Sequence, residues 1–78
     1  NVVNQLRDLD GIDVSMIIKE YGPNEFKASL RSKDFDVAKV ARANGGGGHI
    51  LASGFTIFEE SLEKAQAKAL DILENIND

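Results

Sequence analysis

Four consecutive glycines followed by the chain's only histidine are the most unusual chemical feature of this 78-residue sequence, at Gly45-Gly46-Gly47-Gly48-His49. Consecutive glycines carry a high backbone-entropy cost, and a turn rarely needs more than one or two of them. Because they lack Cβ atoms, their N–H groups can converge on an anion, and a phosphate oxygen can approach the main chain closely. The run therefore favours anion binding over its structural alternatives, a flexible loop or a long helix C-cap.

His49 directly follows this run, so its imidazole has space to reach the same ligand, by a hydrogen bond to phosphate or by stacking on a base. The structural alternative is a partly buried histidine with a hydrogen-bonding role. Metal binding is not indicated, because one histidine without cysteine or a carboxylate at ligand spacing falls short of a usual site. The motif is not a P-loop or a dinucleotide fingerprint, since neither Gly-Lys-Ser/Thr nor Gly-x-Gly-x-x-Gly is present.

A basic segment, Arg31-Ser32-Lys33, joins the end of a predicted strand to the next helix, a place where ligands tend to bind in α/β sheets. The Arg31 guanidinium can pair bidentately with phosphate there. A solvated loop with surface charge explains the segment equally well from the residues alone. The net charge is -4, but residues 27–49 hold five basic against two acidic side chains, and this local excess suits an anion.

The composition predicts one small globular domain over residues 1–78. Hydrophobic residues make up 42% and charged residues 28%, a balance that is not typical of disorder. No apolar run is long enough to span a bilayer and cysteine is absent, so we expect a soluble, cytoplasmic protein. Because the chain starts at Asn1, within what looks like a helix, we expect it to be a piece of a longer protein.

Hydrophobic spacing predicts the first elements that must position these residues. Residues 1–9 have the spacing of a helix, which Asp10-Gly11 would end. Alternating apolar residues then predict two strands, over residues 12–18 and 26–31, joined by a turn with Gly-Pro-Asn chemistry. Two strands and a short turn indicate an antiparallel hairpin.

The second half of the chain predicts a short helix, a strand and a longer helix. Asp36 can cap the short helix, and Asn44-Gly45 is a stop signal for it. Phe55 and Ile57 predict the strand, and Thr56-Ile57-Phe58-Glu59 fits a capping box that begins the last helix. The phenylalanines lie mostly at core-like positions, so no platform for stacking several bases is expected.

This order of elements predicts an α/β fold, a two-layer sandwich in which a small mixed sheet packs against helices. The sheet would contain the hairpin and one further strand.

Three segments of the sequence together resemble the C-terminal DHH-associated domain of the DHH phosphoesterases. They are GGGGHILASGF from Gly45 to Phe55, KASLRSK from Lys27 to Lys33, and Asp36-Val37-Ala38. Within that superfamily the chain is most similar to the bacterial oligoribonuclease and 3'-phosphoadenosine 5'-phosphate (pAp) phosphatase group, the nano-RNases. The resemblance covers about residues 12–77.

The resemblance implies that binding and chemistry lie on separate domains. In that family, manganese ions sit in an N-terminal Asp-His-His domain that performs the hydrolysis, and the C-terminal domain holds the substrate. Carried over to this chain, substrate binding falls to Arg31, Ser32, Gly45, Gly46, Gly47, Gly48 and His49. The resemblance implies no catalytic residue and no metal ligand here, and it implies a catalytic domain upstream as a partner.

The expected parent is a manganese-dependent phosphoesterase acting on short single-stranded RNA and pAp, with this domain inactive alone. The parent's homodimerisation stays open. Two alternatives also stay open: the same family acting on cyclic dinucleotides, longer single strands or polyphosphate, and a non-enzymatic dimerisation or regulatory module. A long strand needs an extended basic groove, and the confinement of positive charge to residues 27–49 weighs against it.

Overall fold

A computed structural model of the chain describes the backbone of residues 2–9 and 12–76 and the side chains of residues 13–76. Its elements are β1 (Val2–Leu9), β2 (Ile12–Gly22), β3 (Glu25–Ser32), α1 (Val37–Ala43), β4 (Gly47–His49), β5 (Ala52–Phe58) and α2 (Leu62–Glu74). The strands form one sheet in the order β1-β2-β3-β5-β4. The predicted α/β two-layer sandwich is confirmed. The sheet was expected to be mixed, and each of its described strand pairs is antiparallel.

One face of the sheet, here called the inner face, packs against both helices and forms the core. Apolar residues alternate along the strands, so β2 buries Val14, Met16 and Ile18 completely. Each such side chain contributes roughly 1.5–3 kcal/mol by leaving water. The helices contribute mainly small residues, such as Ala65 and Ala69 of α2, which let the helix backbone approach the sheet closely. The opposite face, here called the outer face, carries the exposed alternate residues of β2, β3 and β5.

Residues 1–9 were predicted to be helical, and this prediction is wrong. β1 pairs with β2 along its whole length, as far as the pair Leu9 and Ile12. The spacing of Val2, Leu6 and Leu9 fits a helix, but a continuous antiparallel ladder outweighs a weak local preference. Asp10-Gly11 lies outside the described residues. Asp-Gly is a preferred sequence for two-residue hairpin loops, and this signal could have predicted the pairing.

The β2–β3 hairpin is confirmed, and the last helix is present but begins later than predicted. Thr56 and Phe58 belong to β5, where they pair with β3, so the predicted capping box is wrong. The N-cap of α2 is Ser61, whose hydroxyl accepts a hydrogen bond from the Lys64 backbone N–H at 3.2 Å. Strand pairing therefore determines where the chain becomes free to turn into the helix.

α1 carries the chain from β3 to β4, which lies on the far side of β5. β3 and β4 are each antiparallel to β5, so they run in the same direction with β5 between them. Strands that run in the same direction end at the same edge of a sheet. Arg31 near the end of β3 and His49 at the end of β4 therefore come to the same end.

Candidate functional site

Arg31 and His49 lie in one row across three strands of the outer face. Arg31 pairs with Ala52, and Ala52 pairs with His49 on its other side. Residues that pair directly across strands share a face, and Arg31 is exposed. With neighbouring strands about 4.8 Å apart, the Arg31 and His49 Cα atoms are separated by roughly 10 Å. The alanine methyl between them leaves this space open.

Two backbone hydrogen bonds fix the β4–β5 turn next to the end of β3. The Ser32 N–H donates to the Leu51 carbonyl at 3.1 Å, and the Val37 N–H donates to the Ile50 carbonyl at 2.8 Å. The first joins the turn to β3, and the second joins it to the first residue of α1. His49, the residue before this turn, is thereby held in a defined position relative to Arg31.

The hydroxyls of Ser32 and Ser53 bond structural carbonyls on the inner side of the sheet. Ser32 Oγ donates to the Phe35 carbonyl, in the loop before α1. Ser53 Oγ donates to the Val37 carbonyl at 2.8 Å and joins β5 to α1. The structure thus places Ser32 beside Arg31 in sequence but on the other face. The role of Ser53 was missed, although its alternation with the buried Phe55 and Ile57 along the strand signals an inward-facing hydroxyl.

A groove of about 280 Å³ on the outer face contains several of the predicted residues. It is lined by Lys27, Ser29, Arg31, Gly47, Gly48, Ala52, Ser53 and Gly54. Within residues 13–76, neither Lys27 nor Arg31 forms a salt bridge. Two cations therefore stand beside a floor of small residues and exposed backbone, an arrangement that suits an anion. Lys27 was not among the predicted site residues, although its spacing of four from Arg31 on one strand places both on one face.

Lys19 strengthens the positive field of this face. The register places it directly opposite Lys27, and like charges in that arrangement destabilise a sheet by up to about 1 kcal/mol. An anion bound beside Lys27 would offset part of this repulsion.

Gly45 and Gly46 complete the end of α1. Gly45 has a φ of 86°, in the left-handed region. Its N–H donates to the Arg42 carbonyl at 3.2 Å, and the Gly46 N–H donates to the Ala41 carbonyl at 2.8 Å. These are the two hydrogen bonds of a Schellman motif. The predicted stop at Asn44-Gly45 is confirmed, and two of the four glycine N–H groups are used by the helix.

Gly46 and Gly48 are also required by the close approach of β4 to β5. A Cβ at Gly46 would overlap the Gly54 carbonyl oxygen and would lie 2.6 Å from Phe55 Cβ. A Cβ at Gly48, whose φ is 143°, would lie 2.6 Å from Ser53 Cα. Neither position can hold a side chain without moving the hairpin.

Gly47 differs from the other three glycines. Nothing lies within 4 Å of a Cβ built on it, and its φ is not in the left-handed region. It pairs with Gly54 on the outer face, in the floor of the groove. Within the described structure neither packing nor backbone conformation requires glycine here, so Gly47 is the glycine whose missing side chain matters most for access to the groove.

The described residues offer no site for a metal ion. Within residues 13–76, no group of three histidine, aspartate or glutamate side chains is close enough to hold one. Neither α1 nor α2 is long and apolar enough to cross a membrane.

The chain forms a small α/β domain in which helices cover one face of an antiparallel sheet. The candidate site lies on the other face, in a basic groove with a floor of glycines. Residues 1–75 match the DHHA1 domain family, and the chain belongs to that family. This confirms the resemblance carried by the glycine-histidine segment.

Among curated proteins, the chain is similar to the bifunctional oligoribonuclease and PAP phosphatase NrnA of Mycoplasma pneumoniae. The identity is 38% over 52 residues, which is 67% of this chain. The chain spans 16% of the length of that relative.

Proposed function

We propose that this chain is the substrate-recognition domain of a manganese-dependent phosphoesterase that hydrolyses short oligoribonucleotides and pAp. Membership of the DHHA1 family supports the proposal, as does similarity to a relative named for these two activities. One structural observation carries it: Arg31, Lys27 and the backbone of Gly47 line the same groove. Phosphate is the ligand chemistry that these groups suit together.

In this proposal a phosphate lies over Gly47 and Gly54, between Lys27 and Arg31. The guanidinium donates charge-assisted hydrogen bonds to its oxygens. β4 is the edge strand of the sheet, so alternate N–H groups of Gly47–His49 point away from β5 and can donate as well. His49, across Ala52 from Arg31, donates to a second phosphate or stacks on the base.

The remaining predicted residues act on the groove indirectly. Gly45 and Gly46 shape the entry of the chain into β4, since their N–H groups are bonded to α1. Ser32 holds the end of β3 in place through its bonds to Phe35 and Leu51. Both contributions position Arg31 and His49 rather than contact the ligand.

Hydrolysis is assigned to manganese held by a catalytic domain outside this chain. No chemical step is assigned to the described residues of this chain. Their role is to bind the nucleotide and to orient it.

The test is a titration of the ¹⁵N-labelled 78-residue chain with pAp, followed by NMR. Shift changes are expected at Gly47, Gly48 and His49. Gly47→Ala is the informative variant, because its methyl would meet nothing in the fold yet would stand in the groove floor. We expect unchanged stability and about tenfold weaker binding, the cost of one misplaced methyl group in a binding site.

Gly22→Ala is the matched control, since a Cβ there also meets nothing within 4 Å and the position lies outside the groove. It should bind pAp as the unchanged chain does. Absence of shifts along β4, equal weakening by both variants, or hydrolysis of pAp by the 78-residue chain with added manganese would contradict the proposal.

Cyclic dinucleotides, polyphosphate and longer single strands are the comparison ligands, because each offers phosphate to the same groove. Titrated in parallel, cyclic dinucleotides and polyphosphate should bind more weakly than pAp or a dinucleotide if the proposed substrates are correct, and a long single strand should bind no more tightly than a short oligoribonucleotide. Sedimentation of the chain tests the alternative of a non-enzymatic dimerisation or regulatory module. That alternative requires a dimer that persists when Arg31 or His49 is replaced.

A further inference from the structure

Two aromatic rings, those of Tyr21 and Phe58, are exposed on the outer face at the end of the sheet opposite to Arg31 and His49. Tyr21 is 74% exposed and Phe58 is 67% exposed, whereas Phe26 and Phe55 are buried. The sequence led us to expect no stacking platform, because the phenylalanines lie mostly at core-like positions. Alternation in β5 instead turns the Phe58 ring outward.

Both rings line one hollow of about 160 Å³, together with Glu25, Lys27 and Thr56. Tyr21 reaches it because the β2–β3 register shifts between Glu20 and Gly22, which is a bulge. The hollow therefore combines two aromatic rings, the hydroxyls of Tyr21 and Thr56, one cation and one carboxylate. Its carboxylate balances the charge of Lys27, so the hollow suits an uncharged ring better than a second phosphate.

This hollow adjoins the groove already described. Lys27 lines both of them, and no other strand intervenes, since β3 runs from one to the other. From Arg31 to Glu25 along β3 the distance is roughly 20 Å. The outer face thus presents the cations Lys27 and Arg31 along β3 and aromatic rings at one end, the combination with which proteins bind single strands independently of sequence.

We propose that Tyr21 and Phe58 form a base-stacking subsite for a single-stranded oligoribonucleotide whose phosphates pass Lys27 to reach Arg31. The inference rests on the proposed function and extends it. It implies that the domain distinguishes oligonucleotides longer than a dinucleotide from pAp, because only the longer ligand reaches both ends of the face.

The first experiment needs no substitution. Tyr21 is the only tyrosine and tryptophan is absent, so the tyrosine fluorescence of the chain reports on this ring alone. A pentanucleotide of adenosine should quench it, because a stacked base contacts the ring. pAp should bind with little quenching, since it occupies the other end of the groove.

The second experiment measures affinity for the same two probes. Tyr21→Ala and Phe58→Ala should each weaken pentanucleotide binding by about tenfold, the usual effect of losing one stacking ring, and leave pAp binding unchanged. Tyr21→Phe should retain affinity because it keeps the ring. Leu70→Ala removes an exposed apolar side chain from α2, away from the sheet face, and serves as the control.

The outcomes separate the two proposals. If pAp binds but the pentanucleotide binds no more tightly and does not quench Tyr21, the stacking subsite is overturned while the proposed function stands. If neither probe binds, both are overturned. If the aromatic variants turn a dimer into a monomer in sedimentation without changing pentanucleotide affinity, the rings form an interface between two copies, and the subsite is again overturned.

Discussion

Arg31 and His49 lie on the same face of the sheet with only Ala52 between them. The strand that separates them, β5, follows both of them in the sequence. The pair therefore comes together only when the chain after His49 has folded back and inserted between β3 and β4. A ligand that bridges the two residues would connect three strands and should stabilise the folded chain by mass action.

Replacement of Arg31 by alanine should weaken pAp binding strongly. Loss of a charge-assisted hydrogen bond costs about 2 kcal/mol, which corresponds to roughly thirtyfold in affinity. Isothermal titration with pAp measures it. Arg42→Ala removes an arginine side chain of the same type from the exposed end of α1, outside the groove, and should change the affinity for pAp little. Equal effects of the two variants would show that net charge, and not the position of Arg31, controls binding.

His49→Ala should weaken binding by about 1 kcal/mol, the net value of one hydrogen bond. The side chain is exposed, so the free energy of unfolding should change by less than about 0.5 kcal/mol. Parallel pAp titrations and urea denaturation separate the two effects. A His49→Ala chain that is destabilised but binds normally would assign the histidine a structural role instead.

The four glycines should respond differently to alanine in urea denaturation. Gly46→Ala and Gly48→Ala force a Cβ into the backbone or β carbon of β5, and each should cost about 2 kcal/mol or more. Gly45→Ala should cost about 1 kcal/mol, because its positive φ is unfavourable for a side chain while its surroundings are open. Gly47→Ala should be neutral. An equal loss of unfolding free energy at all four glycines would contradict this assignment of separate roles.

Ser53→Ala should lower the free energy of unfolding by about 1 kcal/mol, because the Val37 carbonyl loses a hydrogen bond at 2.8 Å. Thermal unfolding followed by circular dichroism measures the loss. Ser29→Ala is the matched control on the outer face, where none of the described hydrogen bonds uses its hydroxyl. If Ser29→Ala destabilises the fold as much as Ser53→Ala does, the hydrogen bond between β5 and α1 is not the cause of the lost stability.

The elements with strong local signals were predictable, and those that depend on a distant partner were not. The β2–β3 hairpin follows from alternation and turn chemistry, and Asp36 caps α1 through the Lys39 N–H at 3.2 Å as its side-chain type predicts. β4 could not be predicted, because three residues that include two glycines have no strand preference of their own. It is a strand only because β5 pairs with it.

The candidate site was predictable in its chemistry but not in its distribution of roles. Gly45-Gly46-Gly47-Gly48-His49 and Arg31 indicate an anion site from their types alone. Which glycine N–H groups remain for a ligand depends on the end of α1, which uses those of Gly45 and Gly46. Likewise, the exposure of Phe58 depends on where β5 ends and on the face that its last residue occupies.

The sequence by itself determined the α/β class, most helix and strand positions, and membership of the DHHA1 family, because these depend on neighbouring residues and on a contiguous motif. The tertiary structure alone decided that β5 separates β3 from β4, that Arg31 and His49 share a face, and that Tyr21 and Phe58 share a hollow. The physical reason is that strand order and register are set by pairings between distant segments, whose energies exceed the local preferences that spacing and composition express.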